Sequence, residues 1–190
     1  MKGASDGRGG VSGIVIRQAL SADVPAMAKI GVASFRGYGG DQEAAEGWLG
    51  ARARESFDHQ SSILSDGEKV IGYACLGESG GPCRPEPVVE VIQFALAPES
   101  RGRGLTKDFW DEAVGRMKAW VLAINLQRKR RIIWMRVFAW VYVHNTRMRR
   151  MLQHCLGQKP ELAGWRNLYG EPEVMYLWRL RVAPARRWPP

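Results

Sequence analysis

At 190 residues, with 45% hydrophobic and 25% charged side chains, the chain is long enough to bury one sizeable core, and its composition is that of an ordinary globular protein. Cys75, Cys83 and Cys155 form no CxxC pair and there are only three histidines, which argues against a disulfide framework or a metal centre and suits a reducing compartment. The formal charge of +9 attracts polyanions, whether phosphorylated cofactors, nucleic acids or acidic protein surfaces, and by itself selects none of them.

The opening MKGASDGRGGVSG is glycine-rich and lacks the apolar core of a signal peptide, so a flexible lead over 1–13 and cytoplasmic residence are expected. GIVIRQ predicts a short strand. Ser21 then stands where it could cap a helix through ADVPAMAKIGVASF, with Pro25 in its tolerant first turn. RGYGG reads as a loop, and Asp41 as the cap of a second helix that places Ala45, Trp48, Leu49 and Phe57 near helical spacing. SSILSDGEKVIGYACL predicts a hairpin turning at Asp66-Gly67, a pair that takes positive φ readily.

ESGGPCRPEP is a loop and VVEVIQFALA a strand. From Leu105 a long helix carries Phe109, Ala113, Met117, Trp120 and Ile124 along one stripe and ends in the charge run QRKRR. IIWMRVFAWVYV is rich in β-branched and aromatic residues and predicts a strand; interrupted by Arg136, it falls short of the roughly 18 apolar residues of a membrane span. Asn145 caps a short helix with Met148, Met151, Leu152 and Cys155 on one face, and Gly157 ends it. GWRNLYG and EVMYLWRL are a last pair of strands before the tail 182–190. The order predicts one α/β domain over 14–181, with a central mixed sheet of about six to seven strands flanked by helices.

Between strand and long helix lies PESRGRGLT, with Arg101, Gly102, Arg103 and Gly104 in succession. Glycine lets a ligand approach the backbone, a helix start presents unpaired N–H groups and the positive end of its dipole, and the arginines add charge. The turn reads as a phosphate seat. Neither GxxxxGK[ST] nor a GxGxxG near the N-terminal strand is present, so neither a Walker loop nor a dinucleotide fingerprint accounts for it.

The turn resembles the acyl-CoA loop, Q/R-x-x-G-x-G/A, of the GCN5-related N-acetyltransferase (GNAT) family, with Arg101, Gly104 and Thr106 in the three fixed places and threonine where the family has Gly or Ala. Its setting, after the L-x-P of Leu96 and Pro98 and before a long helix, fits the same family. The resemblance implies a splayed pair of parallel strands, with Phe94, Ala95 and Leu96 lining the pantetheine arm of acetyl-CoA, the co-substrate. Arg101, Gly102, Arg103, Gly104, Leu105 and Thr106 would hold the pyrophosphate, and Arg103 or Lys107 could reach the other phosphate. It also implies Leu96 N–H as oxyanion donor and Asn145 as a contact to cofactor or water.

Acetyl transfer needs an uncharged amine, and a carboxylate with a raised pKa can take its proton. Glu90, read as alternating with Ile92, Phe94 and Leu96 along an apolar strand, is the candidate base, and the resemblance places a glutamate there in histone-type members. The family's acid tyrosine falls on Leu152, so the acid is missing or replaced; Tyr142, His144 and His154 are nearby in sequence. Gln93 is a weaker candidate, for ordering a water. The expected activity is transfer of acetyl to a primary amine of a protein or small molecule. The alternative is a weakly active or inactive basic module of the same fold that engages nucleic acid or an acidic partner through QRKRR at 127–131 and RMRR at 147–150. Trp134, Phe138, Trp140 and Tyr142 share one strand face; a base-stacking platform is the minor reading, and core packed against a helix the expected one.

Overall fold

The computed structural model describes residues 13–53, 59–79, 86–127, 132–156, 161–168 and 171–182. The two expected tails apart from Gly13 and Val182, the loop bearing Cys83, Phe57, most of QRKRR and Gly157 lie outside them. Seven strands form one mixed sheet in the order β1-β2-β3-β4-β5-β7-β6. They are β1 (Ile14–Gln18), β2 (His59–Asp66), β3 (Lys69–Glu78), β4 (Val88–Leu96), β5 (Trp134–Tyr142), β6 (Glu161–Leu168) and β7 (Glu171–Arg181). Neighbours run antiparallel except β4 and β5, which are parallel.

Helices α1 (Val24–Ser34) and α2 (Gln42–Ala53) cover β2, β3 and β4 on one face. Helices α3 (Leu105–Gln127) and α4 (Thr146–Leu156) cover the other. The predicted stripe of α3 is the one that packs: Phe109, Ala113, Met117, Trp120 and Ile124 are buried, with Trp110 and Val121 beside them. At about 1.5–3 kcal/mol for each large apolar side chain, this stripe is the main anchor of that face. Asp41 and Asn145 cap α2 and α4 as expected, accepting from the N–H of Ala44 at 2.9 Å and of Met148 at 3.0 Å. The hairpin turns at Gly67, at φ 60°.

Ser21 does not open α1. A 3-10 turn intervenes, and α1 begins at Val24 because Asp23 takes charge of the entry: it accepts the N–H of Leu20 and both arms of the Arg17 guanidinium, each at 2.7 Å. The aromatic row of β5 is also placed differently from the expectation. Met135, Val137, Ala139 and Val141 form the core under α3 and α4, while Trp134, Phe138, Trp140 and Tyr142 lie on the opposite face, half-buried or exposed. Apart from Arg136, both faces of β5 are apolar, and the helix-covered one is that of the smaller side chains. Arginines lie over the aromatics instead, Arg179 over Trp134 at 4.8 Å and Arg166 over Trp140 at 4.1 Å.

Candidate active site

Strands β4 and β5 pair only at Val88↔Arg136, Val89↔Val137 and Glu90↔Phe138. Immediately afterwards β4 carries a bulge against β3, where the register jumps from Leu76↔Val91 to Cys75↔Gln93 and leaves Ile92 as the extra residue. A bulge bends its strand, and here the bend begins where the parallel pairing stops. The two strands part, and β4 from Val91 onward faces a gap.

The register also decides which main-chain groups face that gap. Ala97 N–H donates to Ile71 C=O at 2.9 Å, so in the antiparallel alternation Tyr73↔Ala95 exchanges hydrogen bonds while Gly72↔Leu96 and Ala74↔Phe94 do not. The N–H and C=O of Phe94 and Leu96 therefore point away from β3, toward β5. Ala95 turns its own to β3 and its side chain into the α1/α2 cluster.

The bulge corrects the expected alternation of Glu90 with Phe94 and Leu96. Phe94 stacks on Phe109 and Trp110 of α3 and Leu96 packs with Phe109, whereas Glu90, flanked by the α3-facing Val89 and Val91, lies on the opposite side. Gln93 stays on the α1/α2 side and ties elements together. Its Oε1 accepts from the buried Tyr73 hydroxyl at 2.6 Å, and its amide bonds the Tyr38 hydroxyl at 2.9 Å. Gly31 makes room for the meeting: a Cβ there would come within 2.8 Å of Tyr73 Oη and 3.0 Å of the Tyr38 ring.

At the far end of β4, Gly102 and Gly104 adopt φ of 82° and 78°, which L side chains rarely adopt, and a Cβ on either would meet nothing within 4 Å. Helix α3 begins directly after them, with Leu105 and Thr106 as its first residues. The turn is braced by its own arginines. Arg101 donates to Leu96 C=O at 3.1 Å and to Ser34 Oγ at 2.9 Å, and Arg103 pairs with Asp66 at 2.9 Å. Lys107 pairs with Asp111 one turn on. A bare, positive helix start thus sits at the end of a strand edge whose main-chain groups at Phe94 and Leu96 face away from β3, with the Leu96 C=O taken by Arg101.

The gap opens into a cavity of about 450 Å³ whose walls include Tyr38, Trp48, Glu90, Gln93, Trp140 and Tyr142. Glu90 is half-buried, and desolvation pushes its carboxyl above the ordinary range; the charge of Arg166 opposes that rise and the charge of Glu173 adds to it. Asn145 reaches the cavity too, with Oδ1 engaged in capping α4. Leu152, in the place of the acid tyrosine, is fully buried in the core. Of the nearby groups, Tyr142 lines the cavity and stacks on His144 at 5.5 Å, while His154 is exposed on α4.

Arg166 and Glu173, both in the cavity wall, were not foreseen from the sequence. Glu173 had a weaker signal, a carboxylate directly before the apolar run VMYLW of β7. Arg166 had none, because its partner is defined by the pairing of β6 with β7.

A family model for the GNAT acetyltransferases matches residues 34–158, and the chain belongs to that family: it is an acetyltransferase whose co-substrate is acetyl-CoA. Solved structures agree on the fold. Ard1 from Thermoplasma volcanium superposes with a TM-score of 0.62 at 15% identity, covering 88% of this chain and 98% of its own. The ribosomal-protein-S18-alanine N-acetyltransferase of Escherichia coli gives 0.61 at 14%, covering 91% and 96%. The yncA protein of Salmonella typhimurium, solved with its cofactor acetyl-CoA, gives 0.60 at 16%, covering 90% and 95%. No curated protein matches the sequence. No helix among the described residues is long and apolar enough to cross a membrane.

Proposed function

We propose that the chain acetylates a primary amine, of a small molecule or a protein, with Glu90 as the base. The observation that carries this reading is the parting of β4 from β5 directly after Glu90, which sets a half-buried carboxyl with a raised pKa at the closed end of a gap edged by unpaired main chain. The residues present fit acetyl-CoA. The N–H and C=O of Phe94 and the N–H of Leu96, turned away from β3, match the amides of a pantetheine arm, and the glycine turn with the α3 start matches a diphosphate.

When bound, acetyl-CoA supplies an acetyl group already activated as a thioester. The protein's own residues do the rest. Gly102 and Gly104 keep the turn bare, and the N–H groups of the turn and of Leu105 and Thr106 would hold the diphosphate. Arg101 and Arg103 hold the turn's shape from their anchored positions and add positive charge beside it. Ala95 holds β4 against β3, so that the main-chain groups of Phe94 and Leu96 stay turned toward the gap.

Glu90 accepts the ammonium proton at its carboxylate, and its raised pKa brings it nearer to the pH at which it must work. Asn145 fixes the start of α4 beside the cavity. Release of free thiol in the presence of acetyl-CoA and a panel of amines and peptides tests the reading. Amine-dependent release supports it. Its absence across the panel, with acetyl-CoA shown to bind, overturns it.

A further inference from the structure

We propose that the acceptor is an amino acid with a free carboxylate, and that Arg166 is the receptor for that carboxylate. The inference rests on the acetyl-transfer reading and names the class of amine. The Arg166 guanidinium is set by two contacts: Nε donates to Glu173 Oε2 at 2.7 Å, and Cζ lies 4.1 Å from the centre of the Trp140 ring. The Glu173 side chain is 7% exposed and that of Arg166 38%. Together these contacts consume one N–H and one face. The other end of the fork, Nη1 and Nη2, meets no hydrogen-bond partner among the described residues, although Arg166 lines the same cavity as Glu90.

A guanidinium held in a fixed plane with its paired N–H groups unused is preorganised for a carboxylate, which it can take bidentately. A simple amine has no use for that fork and is repelled by it. Within the cavity wall, Glu90 and Glu173 are opposed by Arg166, so an isolated anion is disfavoured as well. A zwitterion meets both demands, with its ammonium toward Glu90 and its carboxylate toward Arg166. Tyr38 and Trp48, edge to face at 6.1 Å, leave an apolar wall for a side chain. If Arg166 and Glu173 served only to tie β6 to β7, a carboxylate on the acceptor would have no effect.

The experiment compares the twenty L-amino acids with their amides, and with dipeptides that begin with the same residues, as acceptors for acetyl-CoA. Binding of acetyl-CoA is measured separately by calorimetry. At least one free amino acid should exceed its amide in kcat/KM by about 10- to 100-fold, mainly through KM. Arg166→Met should erase that preference while leaving acetyl-CoA affinity in place, and Arg166→Lys should restore part of it. Equal rates for acids and amides, a preference for dipeptides, or an undiminished preference in Arg166→Met overturns the assignment with the acetyltransferase reading intact. Failure to bind acetyl-CoA overturns both. Should Arg166→Met melt early, Arg166→Lys carries the same KM comparison.

Discussion

Replacing Glu90 by glutamine keeps the shape of the side chain, removes its charge and leaves the glycine turn untouched. A positioned base contributes about 10²–10⁴-fold to the rate, so kcat of Glu90→Gln should fall within that range while the affinity for acetyl-CoA stays at the wild-type value. Wild-type kcat/KM should rise with pH along a limb displaced above an ordinary glutamate, since burial raises the Glu90 carboxyl; the variant should lack the limb. Stability provides an independent reading of the same group. A folded pKa above the unfolded one stabilises the protein in acid, and that contribution is lost as the pH rises through the folded value. The variant escapes the loss, so it should melt with the wild type at about pH 4 and above it at about pH 8. Thiol release across pH and paired melting curves provide both measurements. A wild-type rate in the variant at every pH would refute the assignment of the base.

Glu173→Gln removes a negative charge that raises the Glu90 carboxyl, so the acidic limb of the pH–rate profile should move to lower pH; an upward or absent shift contradicts the charged cluster described here. Gly72→Ala places a Cβ 2.6 Å from Leu96 Cδ2 and 3.1 Å from the Ala95 carbonyl, an overpacking worth about 1–3 kcal/mol, and should lower the melting temperature by about 2–10 °C. Because Leu96 is pushed toward the gap, acetyl-CoA affinity should fall in the same variant, as calorimetry can report.

Much of this fold was legible because its signals are local. Asp41 and Asn145 cap through their own side chains, Asp66-Gly67 turns on its own backbone preference, and the α3 stripe needs only a repeat along one helix. The glycine turn was legible for the same reason, since two glycines and two arginines before a helix state their chemistry in nine residues. What escaped depends on partners distant in the chain. The bulge at Ile92, which opens the gap and moves Phe94 and Leu96 to the face opposite Glu90, exists only in the pairing of β4 with β3. The bond of Tyr38 to Gln93 joins residues 55 positions apart. Strand β5 has apolar residues on both faces, and only the packing of α3 and α4 decides which row becomes core.

The grip of main-chain amides at the glycine turn on the diphosphate of acetyl-CoA is measured most directly by calorimetric titration of wild type and Gly104→Glu. Glycine at φ 78° tolerates replacement at a cost of about 1–2 kcal/mol, so the variant should remain folded while its carboxylate repels the diphosphate. Saturable binding by the wild type and none by the folded variant is the expected outcome. Equal binding by both, or none by the wild type, would contradict it.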